Sequence, residues 1–480
     1  MSASLSPQDE SLAARLLAAQ RAAFLAEGQA DAAARIDRLD RAIELLVAHQ
    51  AELCAAATGD FAQRPASVTQ LMDIFPAVHA LRFARRNLRR WMRPRRRRLG
   101  LPLGVPGARG AVIFQPLGVV GLISPWNFPV TLSFGPLAGI LAAGNRCLIK
   151  PSELTPRVAA LLESLVARYF DARELAVVTG EVEVAQQFSR LPFDHLLFTG
   201  STAVGASVMT AAASNLVPVT LELGGKCPVI IGRSAALARA VDRILIGKLA
   251  NAGQMCLAPD FVYLPRELRD AFVAAARAWV LRAYPGLPRN PDYTAIVSAR
   301  HAERVRELLA DARAKGASVI PLGEEPGLAE PQSRLIAPAL ILGATADMRV
   351  MREEIFGPLL PLCAYDRFEE VIAELAERPR PLALYYFGQD RAEERRILTR
   401  THSGAVTMND VAIQFLAEEL PFGGLGESGI GAYHGEYGFQ RFSHARAVFH
   451  QSRLDLAGLT GLRPPYGSRL QRALRLLMRR

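Results

Sequence analysis

Apolar positions change their rhythm about one fifth of the way along the chain. Before residue 94 they recur at helical spacing. Ile36, Leu39, Ile43 and Leu46 form one stripe after a break at Gly28, and Leu81, Leu88 and Trp91 form a second among arginines. Recurrence every three or four residues puts side chains on one helical face, and Pro94 ends the second helix. From Val105 onward the stripes give way to short runs: AVIFQPLGVVGLIS, NRCLIK, LAVVTG, HLLFTG, PVTLELGG and CPVII. Such β-rich runs at helix-length intervals predict βαβ units, an α/β fold with a parallel, doubly wound sheet. After about residue 225 a second α/β stretch begins. It holds a helix over Ala299–Lys315 and strands at SVIPLG (318–323) and PLALYYFG (381–388). At 480 residues the chain exceeds one ordinary core, so two or three sub-structures are expected.

Between Gly110 and Ile149 the only formal charge is Arg146, which resembles a membrane span. Pro116, Pro125, Pro129 and Pro136 interrupt it and Asn127 sits inside it. A lipid-exposed helix does not carry so many breaks, so the segment reads as a buried strand followed by a helix against the sheet. LPFGGLGESGIGAYHGEYGF (420–439) is dense in glycine, with Phe422, Leu425, Tyr433 and Phe439 interleaved, and reads as an ordered loop. SRLQRALRLLMRR at the end forms a short basic amphipathic helix, suited to subunit packing or to contact with a membrane surface.

Half of the residues are apolar, 21% are charged and the net charge is +11. The charge is concentrated in Arg82, Arg85, Arg86, Arg89, Arg90, Arg93 and Arg95–Arg98. A solvated or oligomer-facing helix accounts for it, as does an anion-binding patch. No aromatic residues interleave to stack bases, so no nucleic-acid partner is expected. Cysteines 54, 147, 227, 256 and 363 are scattered, with no CxxC pair. That argues against a disulfide framework or a metal site and for a reducing, cytoplasmic setting. The opening MSASLSPQDE shows no secretory pattern.

Several residues could carry chemistry. Cys256 lies in the loop NAGQMCLAPD, where access and backbone N–H groups would favour a thiolate. Cys147 and Cys363 look like core residues. Glu222, in VTLELGGK, stands at a strand end where burial would raise its pKa toward that of a general base; an ordinary surface glutamate is the alternative. Lys150, Ser152 and Glu153 follow NRCLI at the carboxyl end of a strand, where open parallel sheets bind ligands. Lys150 and Glu153 suit ribose hydroxyls, or form a surface pair. FTGSTAVGASVMTAAA reads as a strand, a turn with Gly200 and Gly205, then a helix whose N-terminus could hold phosphate.

Seven segments occur together and in order: PWNFP (125–129), KPSE (150–153), FTGSTAVG (198–205), LELGGK (221–226), GQMC (253–256), EEIFGP (353–358) and LPFGGLGESG (420–429). This set resembles the signature of the aldehyde dehydrogenase superfamily, over about residues 12–467. CLAPD, GAYHGEYGF, RFSHAR and PPYG (464–467) are similar to the class 3 branch, and RRWMRPRRRR to its bacterial coniferyl aldehyde dehydrogenases. Phe128 and Met255 stand where that branch often has Tyr and Thr.

The resemblance implies a Rossmann-like NAD(P) domain (1–98 and 118–224), an α/β catalytic domain (225–428), a small β bridging and oligomerisation element (99–117 and 440–455) and a tail (456–480). It implies Cys256 as nucleophile, Glu222 as the base that activates water, and Asn127 with the Cys256 N–H as oxyanion donors. Lys150 and Glu153 would grip the adenosine ribose and Ser201 the pyrophosphate. Glu354, with Phe356 nearby, would position the nicotinamide ribose, and Trp126, Ser152, Gly200 and Gly205 would also contact the cofactor. NAD is the expected cofactor, with NADP also accommodated; the enzyme would be a homodimer acting on aromatic or longer aliphatic aldehydes, without a metal. A CoA-acylating relative, or a non-catalytic basic scaffold, is the competing reading.

Overall fold

The computed structural model describes residues 11–100, 103–104, 107–323, 333–454, 458 and 461–478. The opening decapeptide, read above for a leader, and parts of the 456–480 tail lie outside these residues.

The apolar runs become three sheets. The first has six strands in the order Gly429–Ile430, Val219–Glu222, His195–Thr199, Val119–Ile123, Arg146–Lys150 and Leu175–Val177. All neighbours are parallel except the two-residue Gly429–Ile430 strand, which runs antiparallel to Val219–Glu222. The second has seven strands, ordered Ser318–Pro321, Ala339–Leu342, Leu359–Tyr365, Phe261–Pro265, Pro228–Ile231, Ala383–Phe387 and Ala405–Met408. It is parallel except at Ser318–Pro321. The third is antiparallel and joins Arg95–Arg97, Arg109–Pro116 and Ser443–His450.

In the first sheet the chain order reverses at Val119–Ile123, whose neighbours on either side are Arg146–Lys150 and His195–Thr199. Strand ends diverge there and leave a crevice at their carboxyl ends. The apolar run between Gly110 and Ile149 is thereby explained. It supplies two strands, the helix Thr131–Ala143 and the strand Arg146–Lys150, and every residue of that helix except Gly135 is buried. Among the described residues no helix is long and apolar enough to cross a membrane.

The early stripes form the helices Ala32–Ala48 and Phe75–Trp91, with Leu39, Leu46, Leu81, Leu88 and Trp91 buried. Asp31 caps the first of these by accepting the Ala34 N–H (2.9 Å). Arg82, Arg85, Arg86, Arg89 and Arg90 line the exposed face. Two boundaries need correction. The basic helix ends at Trp91, short of Pro94, and Arg95–Arg97 form an edge strand paired with Val112, Ala111 and Gly110. Gly205 belongs to no turn. Ser201 accepts the Val204 N–H (3.4 Å), which starts the helix at Thr202 and puts Gly205 in its second turn, where a Cβ would press into Leu223. Cys147 is buried in the core, and Cys363, half-buried, packs against it.

Candidate active site

Local chain geometry builds the site from three loops. In the first, Pro125–Pro129 follows the central strand Val119–Ile123 and is clamped from one side. The fully buried Arg64 donates to Asn127 O (2.7 Å), and its guanidinium lies over the Phe61 and Phe128 rings (4.8 and 5.2 Å). Asp73, ion-paired with Arg64, accepts the N–H groups of Val130 and Thr131 (3.0 and 2.7 Å) and so anchors the helix that follows. Asn127 is thereby turned toward the second loop, where its Nδ2 donates to Gln254 O (3.1 Å). An amide nitrogen carries two hydrogens, so one donor remains.

The second loop bears Cys256. Asn251, Ala252 and Gly253 are left-handed in succession (φ 48°, 54° and 77°), which reverses the chain tightly. A Cβ at Gly253 would collide with Gly357 O, so glycine is required there on two counts. The Gln254 side chain locks the turn, donating to Asn251 O and Ala295 O (2.9 and 3.1 Å) and accepting the Val297 N–H (2.9 Å). Cys227 Sγ donates to Cys256 O (3.2 Å) and Tyr385 Oη to Leu257 O (2.7 Å). The Cys256 thiol is pushed up to about 12 by burial, then by the Glu354 and Glu222 carboxylates, while its own N–H and that of Leu257 favour the thiolate.

Glu222 closes the strand Val219–Glu222. Its O accepts the Gly200 N–H (3.0 Å), and Leu223 N donates to Ser428 O (3.1 Å), so the backbone is held from both flanks. The carboxyl is buried, neither oxygen has a partner among the described residues, and burial holds its pKa well above the usual carboxylate range.

The third loop carries Glu354 and Phe356. Lys226, paired with Asp260, donates to Val350 O and Glu353 O (2.9 Å each), and Asp260 accepts the Ile355 N–H (2.9 Å). Arg304 donates to Glu354 O (3.1 Å). Glu354 is half-buried, its Oε1 is buried without a partner among the described residues, and desolvation followed by Asp260 pushes it up to about 8. A Cβ at Gly224 would strike this carboxyl.

These loops meet at one cavity of about 630 Å³. Trp126, Asn127, Gly200, Ser201, Glu222, Cys256, Glu354 and Phe356, all singled out from the sequence, line it together. Lys150, Ser152 and Glu153 do not line it. They stand at the end of the adjacent strand, where Lys150 pairs in register with Ile123 and its Nζ donates to Pro151 O (2.7 Å). Arg64, Asp73, Gln254, His301 and Arg304 also support or line the site, without a role legible along the chain. Gln254 was visible inside GQMC; the others sit in helical or turn segments with no distinguishing pattern.

A model of the aldehyde dehydrogenase family matches residues 2–448. The chain belongs to the aldehyde dehydrogenase family. Coniferyl aldehyde dehydrogenase of Pseudomonas sp. strain HR199 is 50% identical over 459 residues, 95% of this chain and 94% of that one. The substrate-bound structure of Staphylococcus aureus AldH superposes with a TM-score of 0.91 at 33% identity, covering 98% of this chain and all of the other. An aldehyde dehydrogenase of Mycobacterium tuberculosis complexed with NAD+ gives a TM-score of 0.82 at 29% identity, over 92% of this chain and 91% of that one. The chain is therefore an NAD(P)-dependent oxidoreductase acting on aldehydes. The CoA-acylating and scaffold readings find no support among these relatives.

Proposed function

We propose that this enzyme oxidises an aromatic aldehyde of the coniferaldehyde type to the carboxylic acid, with NAD as its preferred cofactor. The observation that carries the chemistry is one cavity holding Cys256, Asn127 and a buried carboxyl, Glu222, without a hydrogen-bond partner. The substrate class rests on half-identity with coniferyl aldehyde dehydrogenase over nearly the whole chain.

The residues present suit a dinucleotide. The N-terminus of the helix Thr202–Ala213 opens on the cavity with Ser201, Thr202 and Ala203, a place favourable for pyrophosphate. Gly200 lets the chain pass there, and Gly205 supports the same helix against Leu223. Glu354, with its unpartnered oxygen, would hold the nicotinamide ribose, and Trp126 and Phe356, in edge contact at 5.4 Å, would flank it. Lys150, Ser152 and Glu153 would hold the adenosine ribose, where Glu153 would repel a 2′-phosphate. The bound cofactor supplies the hydride acceptor.

Cys256 gives up its thiol proton to solvent as Sγ attacks the aldehyde carbon, and the second Nδ2 hydrogen of Asn127 and the Cys256 N–H meet the oxygen as it gains charge. After oxidation the acyl group remains on Cys256 as a thioester. Glu222 then takes a proton from water, which attacks the thioester and releases the acid. Asn127→Ala should lower kcat by about two orders of magnitude, with KM little changed. Cys256 should still react stoichiometrically with a thiol reagent in that variant, which checks that the loop survives; an unchanged kcat would remove Asn127 from the oxyanion role.

The six-stranded sheet with its helices would form the cofactor domain, the seven-stranded one the catalytic domain, and the three-stranded one the bridge. A homodimer is supported by the outer strand Ser443–His450, which has one edge unpaired among the described residues. Five free cysteines agree with a cytoplasmic setting. The substrate assignment is tested by steady-state NADH formation with coniferaldehyde, benzaldehyde, hexanal and hexadecanal. Coniferaldehyde should show the highest kcat/KM, at least about tenfold above hexadecanal; the reverse order would overturn the aromatic assignment.

A further inference from the structure

Near Glu222, on the same strand, a guanidinium is anchored that no step above uses. Arg441 ends the helix Gly435–Arg441, and its Nε donates to Thr220 Oγ1 and its Nη2 to Val219 O, both at 2.7 Å. Thr220 and Glu222 are two residues apart on an extended strand, so their side chains share a face, roughly 7 Å apart. Thr220 Oγ1 also bonds His195 Nε2 (2.8 Å), and burial keeps that imidazole neutral. The guanidinium occupies the space where Gly431 would place a Cβ, so the glycine-rich loop closes over it. Glu222 is the one acidic group, among the described residues, that acts on the charge of Arg441.

We propose that Arg441 is a positioning residue for the hydrolytic half-reaction, holding a fixed positive charge one strand repeat from Glu222 so that the base is ionised when the thioester forms. The other titratable groups facing Glu222 are Cys256 on the nucleophile loop and Tyr433 on the loop preceding the Arg441 helix. Both have raised pKa values and are neutral near pH 7. Burial pushes the Glu222 carboxyl up, and Arg441 is the group that pulls it back. Burial lowers the Arg441 pKa while Glu222 raises it, so each group favours the charged form of the other.

The proposal rests on Glu222 being the base, and the experiment separates the two. The acyl-enzyme is formed in a single turnover, the pH is jumped, and release of the acid is followed by rapid quench. In the parent enzyme the rate should rise with pH along a limb that Glu222→Gln abolishes; a limb that persists in that variant overturns the base assignment itself. In Arg441→Gln the limb should move to higher pH by about half a unit to one unit, while Arg441→Lys should keep the parental position. If Arg441→Gln does not fold, Arg441→Met, which keeps the aliphatic stem over Gly431, reads the same shift. A limb that stays in place without the charge, or that moves as far with lysine as with glutamine, overturns the role of Arg441 and leaves Glu222 untouched.

Discussion

Replacing Cys256 by alanine should abolish NADH formation from every aldehyde, a loss of at least about four orders of magnitude in kcat. The size follows from chemistry: without a nucleophile no covalent adduct forms, and no neighbour can substitute. Cys227, the other cysteine at this place, is fully buried and turned to the Cys256 carbonyl. Cys256→Ser should be nearly as inactive, because the pocket already disfavours charge on the thiol, pushed up to about 12, and a hydroxyl is harder to ionise. Fluorescence titration should show that the alanine variant still binds NAD, since Ser201, Glu354 and Phe356 are untouched. Loss of NAD binding together with activity would mean the substitution had collapsed the loop, and residual turnover above about one per cent would rule out Cys256 as the nucleophile.

Glu222→Gln should separate the two half-reactions. A burst of NADH approaching one equivalent per site should survive, followed by a steady state slowed by about two to four orders of magnitude. Glutamine retains the volume of the side chain but cannot take a proton. The carboxyl pKa is raised in the fold, so its protonated, inactive form persists to higher pH than for a free glutamate; parental hydrolysis should therefore fall as pH drops through that raised value. Glu222 is also one of the two carboxylates that raise the Cys256 pKa, so its removal should move thiol alkylation toward lower pH. Undiminished steady-state turnover in Glu222→Gln would exclude it as the base.

Much of this was legible along the chain, for definable reasons. Burial on both faces makes parallel strands read as continuous apolar runs, and NRCLIK, HLLFTG and CPVII are strands for that reason. Helical stripes read equally well at Ala32–Ala48 and Phe75–Trp91. Charge misled where local and long-range terms competed. Arg95–Arg97 follow the helix-ending Pro94 as an arginine run with no strand signature of its own, yet the free ladder edge of Val112, Ala111 and Gly110 takes them up as a strand. Gly205 looked like part of a turn because the capping action of Ser201 fixes the helix start only through geometry.

Taken singly, neither Cys256 nor Glu222 stood out from an ordinary core cysteine or surface glutamate; the ordered motifs, each legible over a few residues, marked them. By itself the sequence determined the α/β class, the family and which side chains carry reactive groups, because these depend on local periodicity and on short segments such as GQMC and LELGGK. Only the tertiary structure decided how they act together. It left the Glu222 oxygens without partners, turned Asn127 toward the Cys256 loop through Arg64, and set Arg441 beside the strand that carries Glu222. Desolvation and charge coupling depend on distances between residues as far apart in the chain as 222 and 441, and no local pattern encodes those distances.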